Sequence, residues 1–212
     1  MLTLTIYIEI LTLVIAILNY HKFKNSIYKH FVFYLVFVVI IELIGFLFGV
    51  VLNKANHFIY NFYLFISFIF YFYFYKNIFK NKRQIKMMNV FIVLYIIVYL
   101  IEFIFIKGDF FLRLFNYSFV IGAILLVITL ILFLIEIIND EKAIFKISKA
   151  LIFWISIGLL LFHIGTIPIL IASEYLNYNN LHKHILLGLN VILYGSIFIG
   201  FILADKKYNY NA

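Results

Sequence analysis

Long apolar runs separated by short polar segments make up almost the whole chain. Seven runs approach or exceed the roughly 20 residues that a helix needs to cross a bilayer. They are too long for membrane strands of about 9–11 residues, and they lack a strict two-residue alternation. Because helices satisfy their own backbone hydrogen bonds in lipid, helices are expected here. The predicted transmembrane helices cover about residues 1–19, 30–52, 57–75, 87–106, 113–138, 148–172 and 184–204.

The basic residues of the connecting segments predict which way these helices face. Segments on one side of the predicted membrane hold thirteen basic residues: Lys22, Lys24, Lys29, Lys76, Lys80, Lys82, Arg83, Lys86, Lys142, Lys146, Lys149, Lys206 and Lys207. The other side holds Lys54, Lys107, Arg113 and Lys183. Because cytoplasmic loops carry the excess of Lys and Arg, we expect an all-α, multi-pass protein with its N-terminus outside and its C-terminus in the cytoplasm.

Composition agrees with a membrane protein and narrows its chemistry. Of the 212 residues, 67% are hydrophobic and 12% are charged, whereas soluble domains have about 45–50% apolar and 25% charged residues. Soluble folds and disorder are therefore excluded, and the short loops predict one transmembrane domain over residues 1–212. The absence of cysteine excludes disulfides and thiolate chemistry. Richness in Ile, Lys, Asn and Phe is typical of AT-rich genomes, and we interpret the chain as a bacterial inner-membrane protein.

Polar residues recur at helical spacing within the apolar runs and predict a polar interior. Glu9 and Glu42 fall near the predicted midplane, with His163 at or slightly outside it. A charged group at the bilayer centre costs about 2.5–3.5 kcal/mol on insertion scales, so such residues usually face a cavity or a partner. We expect an outward-facing polar cavity. The predicted ligand or proton pathway comprises Glu9, Glu42, His163, Asn190, Asn61, Tyr194 and Glu102.

Purely structural interpretations stand beside these functional ones. Glu9 could serve only as a hydrogen-bonding group between helices, and the same holds for Asn190. Glu102 is expected to extend its carboxyl to the membrane rim. Gly45 and Gly49 form a Gly-x-x-x-Gly pair, which is typical of close helix approach within a bundle or in a dimer.

Some positions also indicate an internal repeat. Asn61 and Ser67 of the third run recur with the same spacing as Asn190 and Ser196 of the seventh. We therefore predict two parallel three-helix units joined by the fourth helix, an arrangement known from transporters. This layout is similar to that of small sugar facilitators, although their proline-glutamine motif is absent here.

The end of the third run indicates where partners bind. Residues 68–75 are almost all aromatic, and their position favours a belt at the cytoplasmic interface. The basic loop 76–86 follows, and we expect it to contact anionic lipid and to receive a cytoplasmic protein partner. A homo-oligomer is left open. No nucleic-acid-binding pattern is visible, so nucleic acid is not expected as a partner.

Cofactor and metal sites are not expected. Covalent retinal would require a lysine within the seventh helix, and residues 184–204 contain none. Haem held by two histidines would need a second one at the depth of His163. The outer segments hold His57 and a His-x-His pair, His182 and His184, near the loop carboxylates Glu174 and Asp109. Such a group could bind zinc, but its geometry is unspecified and loop histidines are common by chance. Phosphate loops, zinc-protease helices and nucleophile elbows are also absent from the sequence.

The remaining features favour a non-enzymatic membrane sensor or signalling component, because the cytoplasmic loops are more basic and longer than a minimal carrier requires. A transporter for a small solute or coupled to protons is the alternative, with Glu42 and His163 on its path. A lipid-modifying intramembrane enzyme and a pore-forming effector are further alternatives. Seven short-looped helices resemble the membrane modules of bacterial sensor systems in layout.

Overall fold

The computed structural model describes residues 2–105, 111–139, 149–173 and 180–205, and these are almost entirely helical without strands. The helices are α1 (Leu2–Leu18), α2 (Tyr20–Phe23), α3 (Tyr28–Phe46), α4 (His57–Lys76), α5 (Lys82–Phe105), α6 (Asn116–Ile138), α7 (Leu151–Ser173) and α8 (Asn180–Leu203). A π-helical turn over Leu47–Val51 extends α3.

Six helices, α3 to α8, are long and apolar enough to cross a membrane. The all-α prediction is therefore confirmed for the described residues, and the six helices agree with a multi-pass membrane protein. Helix α1 is also apolar, but its 17 residues make it shorter than the others. Its role as a seventh span, the orientation of the bundle and the identity of the membrane stay predictions.

Six helices form a closed ring of neighbours. Helix α1 packs against α3, and the contacts continue through α4, α6, α7 and α8 back to α1. Helix α5 lies outside this ring against α4 and α6 and is the most exposed of the six candidate spans. The ring explains why polar residues from helices far apart in sequence meet in one interior.

The two ends of the bundle can be recognised from contacts between helix termini. At one end the Lys80 N–H donates to the Glu136 carboxylate, at 3.2 Å, so that the C-terminal ends of α4 and α6 lie together. At the other end the Asn61 side-chain amide reaches Arg113 O just before α6. We call the first the inner end and the second the outer end, following the basic-residue count.

Gly45 and Gly49 make room for side chains of α4 and of the loop before it. A Cβ atom on Gly45 would lie 2.6 Å from the Tyr60 hydroxyl oxygen, and one on Gly49 would lie 2.6 Å from Asn56 Nδ2. Asn56 also donates a hydrogen bond to Gly45 O, at 3.0 Å. The Gly-x-x-x-Gly pair therefore permits a close approach within the chain, and it positions Tyr60 beside Glu42.

Candidate functional site

Two carboxyl groups from neighbouring helices meet inside the bundle. Glu9 lies on α1 with 3% of its surface exposed, and half-buried Glu42 lies on α3 close enough to interact with it electrostatically. Among the described residues, neither carboxyl forms an ion pair, and Glu9 Oε2 has no hydrogen-bond partner. A buried polar atom without a partner is uncommon in native structures and calls for an explanation.

Tyrosine side chains surround these two carboxyls. The Tyr60 hydroxyl donates to Glu42 Oε2 at 3.2 Å, and Tyr194 of α8 lies within hydrogen-bonding reach of Glu9. Tyr63 interacts with both carboxyls and with Tyr34. The carboxyl–tyrosine cluster, as we name it, consists of Glu9, Glu42, Tyr34, Tyr60, Tyr63, Tyr71 and Tyr194.

One face of α4 carries hydroxyl groups along much of its length. These residues recur every three or four positions and are Tyr60, Tyr63, Ser67, Tyr71 and Tyr75. The Tyr34 hydroxyl lies 3.0 Å from Ser67 Oγ and 2.9 Å from the Tyr71 hydroxyl. Tyr75 is hydrogen-bonded to Ser156 of α7 at 2.6 Å. Fifteen residues of helix span about 22 Å, so this row extends from the outer end towards the inner end.

His163 lies in an aromatic environment and makes no ion pair with Glu9 or Glu42. Its Nδ1 donates to Leu159 O on its own helix at 2.8 Å. The ring packs against Phe68, Phe119 and Phe162, with centroid distances of 5.1–6.0 Å. Tyr71 also contacts it edge-on, at 6.4 Å, so His163 borders the carboxyl–tyrosine cluster through this one ring.

Asn61 holds the segment that leads into α6. Its side chain is fully buried, donates to Arg113 O at 2.9 Å and accepts from the Phe115 N–H at 3.0 Å. Both ends of the amide are thus bonded to backbone groups. This geometry gives Asn61 a structural part at the outer end, next to the cavity described below.

Glu102 also stabilises the beginning of α6. Its carboxylate accepts the backbone N–H groups of Tyr117 and Ser118, at 3.1 and 2.6 Å, and the Ser118 hydroxyl. The expectation that this carboxyl extends to the rim is wrong, because only 7% of the residue is exposed. The first N–H groups of a helix have no acceptor within it, and the glutamate of α5 supplies one.

Asn190 and Tyr194 lie one turn apart on α8 but have different surroundings. Asn190 is half-buried and donates to Leu186 O of its own helix at 2.9 Å. Tyr194 is buried and belongs to the carboxyl–tyrosine cluster. Of the predicted pathway residues, the structure therefore brings together Glu9, Glu42 and Tyr194. Sequence reasoning missed Tyr34 of α3 as a member of this cluster. The regular spacing of the tyrosines on α4, by contrast, can be seen in the sequence.

A cavity of about 230 Å³ lies beside the cluster at the outer end. It is bordered by the beginnings of α4, α6 and α8 and by the second half of α7. Its wall is almost entirely apolar. The aromatic part of the wall consists of Tyr60, Tyr63, Phe115, Phe119 and Phe162. Tyr60 and Tyr63 belong to both the wall and the cluster, so they connect the cavity with the two carboxyls.

No known protein family, curated protein or solved structure matches the chain. Within the described ranges, no group of three or more His, Asp or Glu residues is arranged to hold a metal ion. The cavity and the carboxyl–tyrosine cluster are therefore the features that bear on function.

Proposed function

We propose that this protein is a membrane sensor that binds a small molecule in the outer-end cavity and passes the change to its inner end. The observation that carries the proposal is the shared wall: Tyr60 and Tyr63 both line the cavity, the Tyr60 hydroxyl donates to Glu42, and Tyr63 interacts electrostatically with both carboxyls. A ligand that moves either ring necessarily alters the surroundings of Glu42 or Glu9.

Helix α4 offers the mechanical connection between the two ends. It begins at the cavity, forms part of the ring and ends at the basic segment 76–86, which includes the first turn of α5. At that end Tyr75 is hydrogen-bonded to Ser156, and the Lys80 N–H is held by Glu136. A shift of α4 would change both contacts, and with them the surface on which we place anionic lipid and a cytoplasmic protein partner.

The same proposal includes seven spans in a bacterial inner membrane, with the N-terminus outside. Support for α1 as a span comes from its depth, because Thr12 Oγ1 lies 3.3 Å from the backbone oxygen of Tyr194. Tyr194 is near the middle of α8, which is itself a candidate span. The three-helix repeat is retained as a prediction.

Covalent occupation of the cavity tests the sensor. The chain has no cysteine, so Thr166→Cys provides a single thiol in the cavity wall for benzyl methanethiosulfonate. We expect modification to change hydrogen exchange in residues 76–86, at the opposite end of the bundle. Ile164→Cys is the matched control, since Ile164 lies on the same helix with 50% of its surface exposed.

The comparison has two decisive outcomes. A change in residues 76–86 that occurs in modified Thr166→Cys and not in modified Ile164→Cys supports the sensor. Exchange that stays the same in that loop after complete modification of Thr166→Cys contradicts it.

A proton-coupled transporter is the second candidate, and the hydroxyl row of α4 favours it. Hydrogen-bonded hydroxyls can relay protons, and the row begins at Glu42 and reaches Tyr75. In proteoliposomes containing a pH-sensitive dye, proton flux that is lost in Glu42→Gln and retained in Glu136→Gln would support this candidate. Absence of flux in the unmodified protein would exclude it.

A further inference from the structure

We infer that the cavity takes a small organic ammonium ion, with its charged group directed at Glu42 and Glu9 and its apolar body against the aromatic wall. This inference rests on the proposed function and names the chemical class of its ligand. Three independent features support it: two carboxyls without a cation, a wall of aromatic rings, and the size of the space.

The first feature is the missing positive charge. Glu9 and Glu42 interact with one another, form no ion pair with the described residues, and leave Glu9 Oε2 without a hydrogen-bond partner. An isolated carboxylate in an apolar environment is costly, so a buried carboxyl either takes up a proton or pairs with a cation. An ammonium group would supply both the charge and the N–H donors that these carboxyls lack.

The second feature is the composition of the wall. Five of the residues that border the cavity are aromatic, and none is Lys, Arg or His. Aromatic faces attract cations, with a contribution of about 0.5–2 kcal/mol that rises as water is excluded. An anion would meet no positive group in this wall and would be repelled by the nearby carboxyls.

The third feature is the volume of about 230 Å³. An apolar protein cavity of about 150 Å³ accommodates benzene, whereas sites for drug-sized ligands occupy about 300–1,000 Å³. The space therefore suits a single ring with a short amine-bearing chain. Larger lipid-like cations would fit only in part.

A set of three ligands of similar shape tests the assignment. Full-length protein in zwitterionic nanodiscs is titrated calorimetrically with 2-phenylethylamine, 2-phenylethanol or 3-phenylpropionate, and empty nanodiscs correct for partitioning into lipid. We expect the amine to bind at least tenfold more tightly than the alcohol, with no binding of the propionate. Equal affinity for amine and alcohol, or no binding of the amine, would overturn the ammonium assignment.

Variants then locate the charge recognition. Glu42→Gln and Glu9→Gln are expected to reduce the preference for amine over alcohol at least tenfold, while Glu136→Gln at the inner end preserves it. A preference that survives in both cluster variants excludes these carboxyls as the recognition site.

A second approach does not depend on how well those variants fold. Modification of Thr166→Cys by benzyl methanethiosulfonate should abolish amine binding, and binding that persists would place the amine elsewhere. The sensor itself fails by a different result, namely an inner loop that does not respond to this modification. A failure of the ligand class is thus distinguishable from a failure of the function.

Discussion

Glu9 and Glu102 are both almost fully buried, but their carboxyl groups have opposite surroundings. Glu102 accepts hydrogen bonds from two backbone N–H groups and a hydroxyl, whereas Glu9 Oε2 has no hydrogen-bond partner. A satisfied carboxylate stabilises the structure, and an unsatisfied one carries a desolvation cost that function can explain. Burial alone therefore does not distinguish a structural carboxyl from a functional one. The hydrogen-bond donors around the carboxyl make that distinction.

Removal of the Glu102 carboxyl should destabilise the protein. In Glu102→Ala the N–H groups of Tyr117 and Ser118 lose their acceptor in a buried environment, which costs about 1–3 kcal/mol. Thermal unfolding followed by the fluorescence of the single tryptophan, Trp154, measures the change. In the control Glu136→Ala, a half-buried carboxyl at the inner end is removed, and a smaller loss is expected. Equal losses would contradict the assigned role of Glu102.

The sequence predicted some of this site and could not predict the rest. Glu9 and Glu42 stood out because carboxyls are rare within apolar helices, and the stripe on α8 included Tyr194. Asn190 looked equivalent, but its amide bonds to its own helix. Whether a polar side chain turns back to its own backbone or reaches a neighbour depends on the packing of other helices, which spacing along one helix does not encode.

Helix α4 shows that the depth of a residue along a helix and the direction of its side chain around the helix axis are separate properties. The aromatic residues 68–75 end near the inner end, which favoured an interfacial belt. Instead, Phe72, Phe74 and Tyr75 are fully buried against neighbouring helices, and Tyr73 is the exposed exception. The direction of each side chain around the helix axis decides its burial, and an almost entirely aromatic segment gives no periodic signal from which to predict that direction.

The variant Tyr71→Phe separates the contribution of the hydroxyl row to stability from the contribution of ring packing. The change keeps the ring and removes the hydroxyl that lies 2.9 Å from that of Tyr34, so about 0.5–1.5 kcal/mol of stability should be lost. Tyr73→Phe is the matched control on the same helix, because Tyr73 is 48% exposed. Reversible unfolding in mixed micelles gives the two free energies. A loss of the same size in both variants would exclude a contribution from the buried pair.

Two glycines allow a matched test of close packing by α4. Gly45→Ala places a Cβ atom 2.6 Å from the Tyr60 hydroxyl oxygen, so Tyr60 must move and its bond to Glu42 is expected to break. Gly188→Ala on α8 meets no atom within 4 Å and should be neutral or stabilising by up to about 1 kcal/mol. The effect of each glycine substitution is measured by thermal stability and by the reactivity of the Thr166→Cys thiol when the two changes are combined. Similar behaviour of the two variants would contradict the close approach.

At the scale of the whole molecule, helix positions were the most predictable feature. The predicted spans 57–75 and 113–138 correspond to His57–Lys76 and Asn116–Ile138. Apolar length is set by the thickness of the bilayer, so it is visible in one sequence. One sequence does not show the order of helices around the ring or the place of α5 outside it. Helix surfaces that face lipid and those that face other helices are similarly apolar.

Helix α1 determines the topology of the whole chain. Six spans place both termini on one side of the membrane, whereas a spanning α1 places them on opposite sides. Its 17 residues give a length of about 25 Å, close to the roughly 30 Å hydrocarbon core, and Thr12 lies at the depth of Tyr194. We therefore expect an epitope tag at the N-terminus to be reached in intact cells and a C-terminal tag only after permeabilisation.

Single cysteines at two exposed positions make this test independent of the tags. Lys54→Cys should react with a membrane-impermeant maleimide in intact cells, and Lys82→Cys only after permeabilisation, because the first lies at the outer end and the second at the inner end. Protection of both tags in intact cells would show that α1 does not cross. Reaction of Lys82→Cys instead of Lys54→Cys would reverse the orientation and move the cavity to the cytoplasmic side, where a sensor would detect an intracellular amine.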